Sequence, residues 1–179
     1  MKKLIVFICN GNIHRSAVAE ACLRQEIEIR ELSSLFEVIS RGLQGSAGTN
    51  PPKHKNLFGY PLEWTIQKPI LSNLGLDITN HISRPINYGV VKKASLIIAM
   101  DKKVLVKLPN SLIKQFPKYN YKMKLFMELE GKQKDVPDCF GSSDVKLHRY
   151  VNEMIVKIIR KRFTNILKLS IRNQKEEEK

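Results

Sequence analysis

Apolar residues recur along the chain in two rhythms. Leu4 to Ile8 is an unbroken, β-branched-rich run that stops at Asn10-Gly11-Asn12, the signature of a strand buried on both faces. From Ser16 the spacing changes, and Val18, Cys22, Leu23 and Ile27 fall on one side of a helix carried to about Glu31. Phe36 to Ser40 alternates as a second strand, so the opening segment predicts a βαβ unit with parallel strands. Leu62 to Leu74 predicts a second helix with Gly75 placed as its C-cap, and Ala94 to Met100 a third buried strand. Asp101 is then an N-cap for the next helix. Residues 102–120 read as short helix and loop broken by Pro109 and Pro117, and Lys122 to Leu129 as wholly or partly helical. Ser142 to about Ile171 is a long amphipathic helix carrying Tyr150, Ile155, Ile159 and Ile166. Residues 46–52 are loop by composition, 53–61 a mobile surface segment, and the Glu-rich end should fray.

The polar turn after the first strand carries the chemistry. Cys9 and Arg15 bracket five residues that lead straight into a helix. A loop that short turns backbone N–H groups inward, and the helix dipole adds its positive end, making a cradle for a tetrahedral oxyanion. A cysteine beside a helix start and a cation is favoured as its thiolate. Arg15 adds a planar fork that grips two phosphate oxygens, which lysine cannot do.

The run Cys9-Asn10-Gly11-Asn12-Ile13-His14-Arg15-Ser16 resembles the loop of the low-molecular-weight protein tyrosine phosphatases and their arsenate-reductase relatives. The resemblance implies Cys9 as nucleophile and Arg15 as phosphate ligand. It makes residues Asn10, Gly11, Asn12, Ile13, His14, Arg15 and Ser16 the phosphate-binding loop, held in shape by Asn12 and Ser16. The Ser46-Ala47-Gly48-Thr49 run is similar to the family's, which points to Ser46 as a further loop support. Gly75 to Arg84 is similar to the family's histidine-containing segment, in which His81 buttresses the loop asparagine. The implied fold is α/β: a single three-layer domain over 1–170, with a central, mainly parallel four-stranded sheet flanked by helices and the phosphate loop after strand 1. A flexible charged tail is expected over 171–179.

Attack at phosphorus expels an oxyanion, and a positioned carboxylic acid that protonates it is worth about 10² to 10⁴ in rate. The family keeps that acid in an Asp-Pro-aromatic loop before the last helix. Asp138 in Asp135-Val136-Pro137-Asp138-Cys139-Phe140-Gly141 fits, with Asp135 as the alternative and Phe140 as the aromatic. The chain departs from the pattern at Cys139, where the family usually has proline, at Gly141, where many members have tyrosine, and at His14, where many have a second cysteine. Cys139 is therefore an expected redox partner for oxidised Cys9, and His14 either touches phosphate or is a solvated loop residue. Phe58 and Tyr60 are candidates to stack on a phosphotyrosine ring.

The expected activity is a cysteine-dependent phosphomonoesterase, a low-molecular-weight protein-tyrosine-phosphatase, working through a cysteinyl phosphate with Asp138 as general acid. An arsenate-reductase-like protein and a phosphate-binding module without turnover are the alternatives. The family's thiol-coupled reductases use two cysteines near mid-chain, and none lies between Cys22 and Cys139 here. In the family a threonine after the loop asparagine marks phosphoarginine phosphatases, and here that residue is Ile13.

Composition narrows the setting. The 179 residues suffice for one domain, and 42% apolar content fits a globular protein. Thirty-one Lys and Arg against 17 Asp and Glu give a net charge of +14, an attraction to anions in general. The charge is spread out with no nucleic-acid-binding motif, so direct nucleic-acid binding is not expected. Cys22 reads as a buried small hydrophobe, and three cysteines with no paired spacing suggest a reducing, cytoplasmic setting. The first apolar run is too short for a signal peptide, and no stretch approaches a membrane span. No metal or other cofactor is expected. The expected partners are a phosphorylated protein or small aryl phosphate as substrate and inorganic phosphate as product.

Overall fold

The computed structural model describes the backbone of residues 2–177 and the side chains of 2–172. Four strands, β1 (Lys3–Cys9), β2 (Phe36–Gly42), β3 (Ala94–Ala99) and β4 (Met123–Leu125), form one sheet in the order β2-β1-β3-β4, with every pairing parallel. The helices are α1 (Arg15–Ile29), α2 (Pro61–Asn73), α3 (Tyr88–Lys93), α4 (Leu112–Gln115) and α5 (Val145–Glu177). No helix among the described residues is long and apolar enough to cross a membrane.

Alternation along β1 builds two cores. Ile5, Phe7 and Cys9 face α1 and α5, packing with Val18, Leu23, Ile155 and Ile159. Leu4, Val6 and Ile8 face the other way, onto Val91 of α3 and Leu112 of α4. A strand that feeds both faces must be apolar at every position, which is why Leu4 to Ile8 shows no polar interruption. The result is the expected three-layer α/β domain, and its loops at the carboxyl ends of β1 and β3 meet on one side.

Several elements differ from the pattern-based expectation. Lys122 to Leu129 is helical only in part: Met123–Leu125 pairs with Ile97–Ala99 as β4, and a 3₁₀ helix covers Phe126–Glu130. An apolar run this short has no decisive period, and the open edge of β3 selects the strand. Asp101 is followed by a single π-helical turn, Lys103–Lys107, and α3 arises where no helix is expected. Segment 53–61 is anchored: Leu57 is buried in the core, and Ser83 N donates to Lys55 O. The α2 helix ends as expected, with Gly75 at φ +73° and Leu76 N bonded back to Leu71 O. The backbone of α5 runs to Glu177, past the expected end near Ile171, while most side chains of the expected tail, 171–179, lie outside the described residues.

Candidate active site

The loop between β1 and α1 is closed around its sulfur. Cys9 Sγ lies 3.0 Å from Ser16 Oγ and receives Asn12 N–H at 3.2 Å. Ser16 Oγ also accepts from Asn12 Nδ2 at 3.0 Å, which ties the hydroxyl beside the sulfur to the loop asparagine. Asn12 adopts a left-handed backbone, φ +54°, which for a non-glycine residue persists only when neighbours hold it. Its Nδ2 also donates to Ser40 Oγ at 2.7 Å, its Oδ1 accepts from Arg84 N at 3.0 Å, and its carbonyl accepts from His81 Nε2 at 2.9 Å. Ser83 Oγ donates to Gly11 O at 2.8 Å. At the end of β2 only glycine fits, since a Cβ on Gly42 would sit 2.9 Å from Asn10 O and 3.1 Å from Asn12 Cβ.

Ser40 takes the place that the sequence assigns to Ser46. Ser40 bonds Asn12 and donates to Glu20 Oε2 at 2.6 Å, whereas Ser46 Oγ donates to Leu43 O and accepts from Gln115 Nε2, with no bond to the loop. Strand register explains this. Ser40 pairs with Phe7, beneath the loop, while Ser46 lies in the turn beyond. Ser40, Ser83 and Asp101 are site-shaping residues that sequence reasoning misses, and for Ser40 the available signal was its place at the end of the second strand.

Arg15 is buried and held by three oxygens. Its Nη1 donates to Asp101 Oδ2 at 2.9 Å and to Val136 O at 3.0 Å, and its Nη2 donates to Asp138 Oδ2 at 2.7 Å. Burial works against the guanidinium charge, but Cys9, Asp138 and Asp101 outweigh it and hold Arg15 above its ordinary pKa. Asp101 is both partner of Arg15 and cap of the following turn, where its Oδ1 accepts from Val104 N at 2.8 Å. The two candidate acids separate cleanly. Asp135 accepts from Lys102 N at 2.8 Å and fixes the base of its loop, while Asp138, with a side chain 56% exposed, faces the cleft.

That cleft encloses about 220 Å³ over Cys9, lined by Asn10, Gly11, Ile13, Arg15, Asp138 and the rim residues Lys53, Tyr60 and Phe140. Tyr60 and Phe140 meet edge to face with ring centres 5.0 Å apart. Phe58 turns away onto Trp64, 5.7 Å distant, so only Tyr60 of the two expected aromatics lines the cleft. His14 borders the cleft, but its imidazole is buried and bonded to Asn152, not solvated as one reading of the sequence has it. Burial lowers its pKa to about 4, against a partial lift from the Asn152 hydrogen bond. Cys139 also points inward, 3.6 Å from His14 Nδ1 and 3.7 Å from Gln67 Nε2, and burial pushes its thiol up to about 11. Both contacts hold the Cys139 thiol among buried groups and outside the lining of the cleft.

A thiol that accepts a loop N–H, an arginine beside it and a carboxylate across the cleft, all at the carboxyl edge of a parallel sheet, make an α/β protein with a built site for an oxyanion. The chain belongs to the family described as low molecular weight phosphotyrosine protein phosphatase, whose sequence pattern it matches over residues 4–175. It is 32% identical over 101 residues to a probable low molecular weight protein-tyrosine-phosphatase, EpsP, of Ralstonia nicotianae, covering 56% of this chain and 57% of that relative's length. It is 28% identical over 109 residues to an arsenate reductase of Staphylococcus aureus, covering 61% of this chain and 68% of that protein. To the protein-arginine-phosphatase of Bacillus subtilis it is 26% identical over 157 residues, covering 87% and 91% of the two chains. A solved structure of a YwlE mutant from Bacillus subtilis superposes with a TM-score of 0.73 at 24% identity, covering 93% of this chain and 99% of that one, a likeness of fold.

Proposed function

We propose that the protein hydrolyses aryl phosphate monoesters, in particular phosphotyrosine, in two steps at Cys9. The observation that carries this reading is the convergence of Asn12 N–H and Ser16 Oγ on the Cys9 sulfur, with Arg15 bridging to Asp138 across the same cleft. In the first step Cys9 sulfur bonds to phosphorus as the ester P–O bond breaks, loop amides and Arg15 hold the equatorial oxygens, and Asp138 gives its proton to the departing oxygen. In the second, the Asp138 carboxylate takes a proton from water as the water oxygen displaces sulfur, releasing inorganic phosphate and restoring the thiolate. No metal enters this scheme.

The cleft favours an aryl ester over phosphoarginine. Its walls are Ile13, Tyr60 and Phe140, which suit an aromatic ring, and Lys53 on the rim repels a cationic guanidinium. Arsenate reduction requires further thiols to release the adduct. Cys22 is fully buried with its thiol raised to about 12, and Cys139 is fully buried against His14 with its thiol raised to about 11. Partners are accordingly phosphotyrosine-bearing proteins or small aryl phosphates, and a reducing compartment such as the cytoplasm suits the three free cysteines.

Initial rates on matched phosphotyrosine, phosphoserine and phosphoarginine peptides at mildly acidic pH test the reading. Phosphotyrosine is expected to turn over at least about tenfold faster, with Cys9→Ser inactive. Faster hydrolysis of phosphoarginine, or turnover by Cys9→Ser near the wild-type rate, overturns it.

A further inference from the structure

Behind the acid loop runs a buried chain of hydrogen bonds that the reaction above does not use. His14 Nε2 lies 2.9 Å from Asn152 Oδ1, and Asn152 Nδ2 donates to Gln67 Oε1 at 2.6 Å and to His148 O at 2.8 Å. Gln67 Nε2 donates to His148 Nδ1 at 2.6 Å, and His148 Nε2 reaches Ser142 O at 2.8 Å. The thiol of Cys139 closes the path at 3.6 Å from His14 Nδ1. Gln67, Asn152, His148 and Cys139 are fully buried and His14 almost so.

One orientation satisfies His14, Asn152, Gln67, His148 and Cys139 together. Asn152 uses its amide hydrogens on Gln67 Oε1 and the His148 carbonyl, so its oxygen faces His14, which must carry its proton on Nε2. Gln67 likewise donates to His148 Nδ1, which leaves the His148 proton on Nε2 for the Ser142 carbonyl. His14 Nδ1 is then the acceptor for the Cys139 S–H. The depressed pKa of His14 and the raised pKa of Cys139 keep both groups neutral, the states this arrangement needs.

The path joins two loops that must act together. It starts at His14, next to Arg15, crosses α5 at Asn152 and α2 at Gln67, and ends on the backbone just after Asp138, at Cys139 and Ser142. Glu63 of α2 adds an acceptor for Gly141 N–H. A buried network interrupted at one member leaves the others unsatisfied, so its geometry is sharply defined when it is intact. Residues 14 and 139, 125 positions apart in sequence, touch here.

Resting on the phosphatase reading above, we infer that Gln67, supported by Asn152 and His148, is a positioning residue that sets Asp138 over the leaving oxygen by holding the acid loop to the phosphate loop from behind. It does not touch substrate. Its effect passes through Asp138.

Gln67→Met keeps the length of the side chain and removes its hydrogen bonds. With phenyl phosphate, whose leaving group needs a proton, kcat is expected to fall about tenfold, a part of the about 10² to 10⁴ that general-acid catalysis contributes. With p-nitrophenyl phosphate, a better leaving group, the loss should be about threefold or less, and inhibition by inorganic phosphate should stay within about twofold. Added to Asp138→Asn, Gln67→Met should cost less than about twofold more. Equal losses on both esters, or the full tenfold loss in the Asp138→Asn background, overturn the inference. His148→Gln, which keeps a donor for Ser142 O, is expected to retain most of the rate that His148→Phe loses, and equal losses in the two also count against it. Amide hydrogen exchange decides without turnover: in Gln67→Met, residues 139–142 should exchange at least about tenfold faster while β1 and β3 do not change. Unchanged exchange in that loop sinks the inference whether or not the protein is a phosphatase. Failure of the wild-type protein to hydrolyse either ester sinks the phosphatase reading instead.

Discussion

Arg15 Nη2 donates to Asp138 Oδ2 at 2.7 Å, so the nitrogen placed to receive a substrate oxyanion already holds the carboxylate proposed as acid. Arg15 Nη1 is fixed by Asp101 and Val136 and keeps the guanidinium plane in place. In the proposed reaction the incoming phosphoryl oxygens take over Nη2, and Asp138 moves to the leaving group. Asp138→Asn is expected to lower kcat by about 10² to 10⁴ while inhibition by inorganic phosphate tightens, because a neutral amide competes less for Nη2. Steady-state kinetics with phosphate as inhibitor checks both parts, and weaker phosphate binding in the variant contradicts the competition.

Ser40 and Ser46 provide a matched comparison. Ser40→Ala removes the bonds that Ser40 makes to one Asn12 amide hydrogen and to Glu20 Oε2, a loss of about 1 to 3 kcal/mol, and it loosens the left-handed Asn12. Lower thermal stability and a reduced kcat are expected together. Ser46→Ala alters a turn that does not bond the loop, and kcat should remain within about twofold.

Cysteine reactivity should follow position. Cys22 and Cys139, with thiols raised to about 12 and 11, are expected to resist iodoacetate in the folded protein, while Cys9 is alkylated and inorganic phosphate protects it. Peptide mapping reads all three at once. After peroxide, Cys139 is expected to remain a free thiol, since pairing with Cys9 requires it to leave His14 and Gln67. A mapped Cys9–Cys139 disulfide would contradict that expectation.

His14 predicts an acid-sensitive fold. It titrates near 4 when folded, held down first by burial and then by Arg15 and His148, against the lift from Asn152 and Asp138, and near 6.5 when exposed. Between these values the unfolded chain binds a proton that the folded chain refuses. The stabilisation is therefore complete above about pH 6.5 and is lost as pH falls toward 4, by at most a few kcal/mol. His81, also lowered by burial, adds to the slope with the same sign. Urea midpoints from pH 4 to 7 are expected to fall on the acid side, less steeply in His14→Asn, and a pH-independent midpoint contradicts the assignment.

Much of this arrangement was legible in the chain. The unbroken run of β1, the helical spacing of α1 and the Cys-x5-Arg loop between them are local signals, and they were sufficient for the fold class, the candidate nucleophile and the candidate phosphate ligand. The position of Asp138 followed from the resemblance alone, because an aspartate next to proline is equally good turn chemistry. Separating it from Asp135 took the bond of Asp135 to Lys102 N.

The order of apolar and polar residues determined which segments are buried and where the anion loop falls, because strand, turn and helix preferences act over a few neighbouring residues. Tertiary structure alone decided that Met123–Leu125 is a strand, that Ser40 supports Asn12, and that His14 meets Cys139 across 125 positions of sequence. Those outcomes depend on parallel register and helix packing, which bring distant polar groups into a dry interior where each must find a partner, and no local pattern encodes which partner that is.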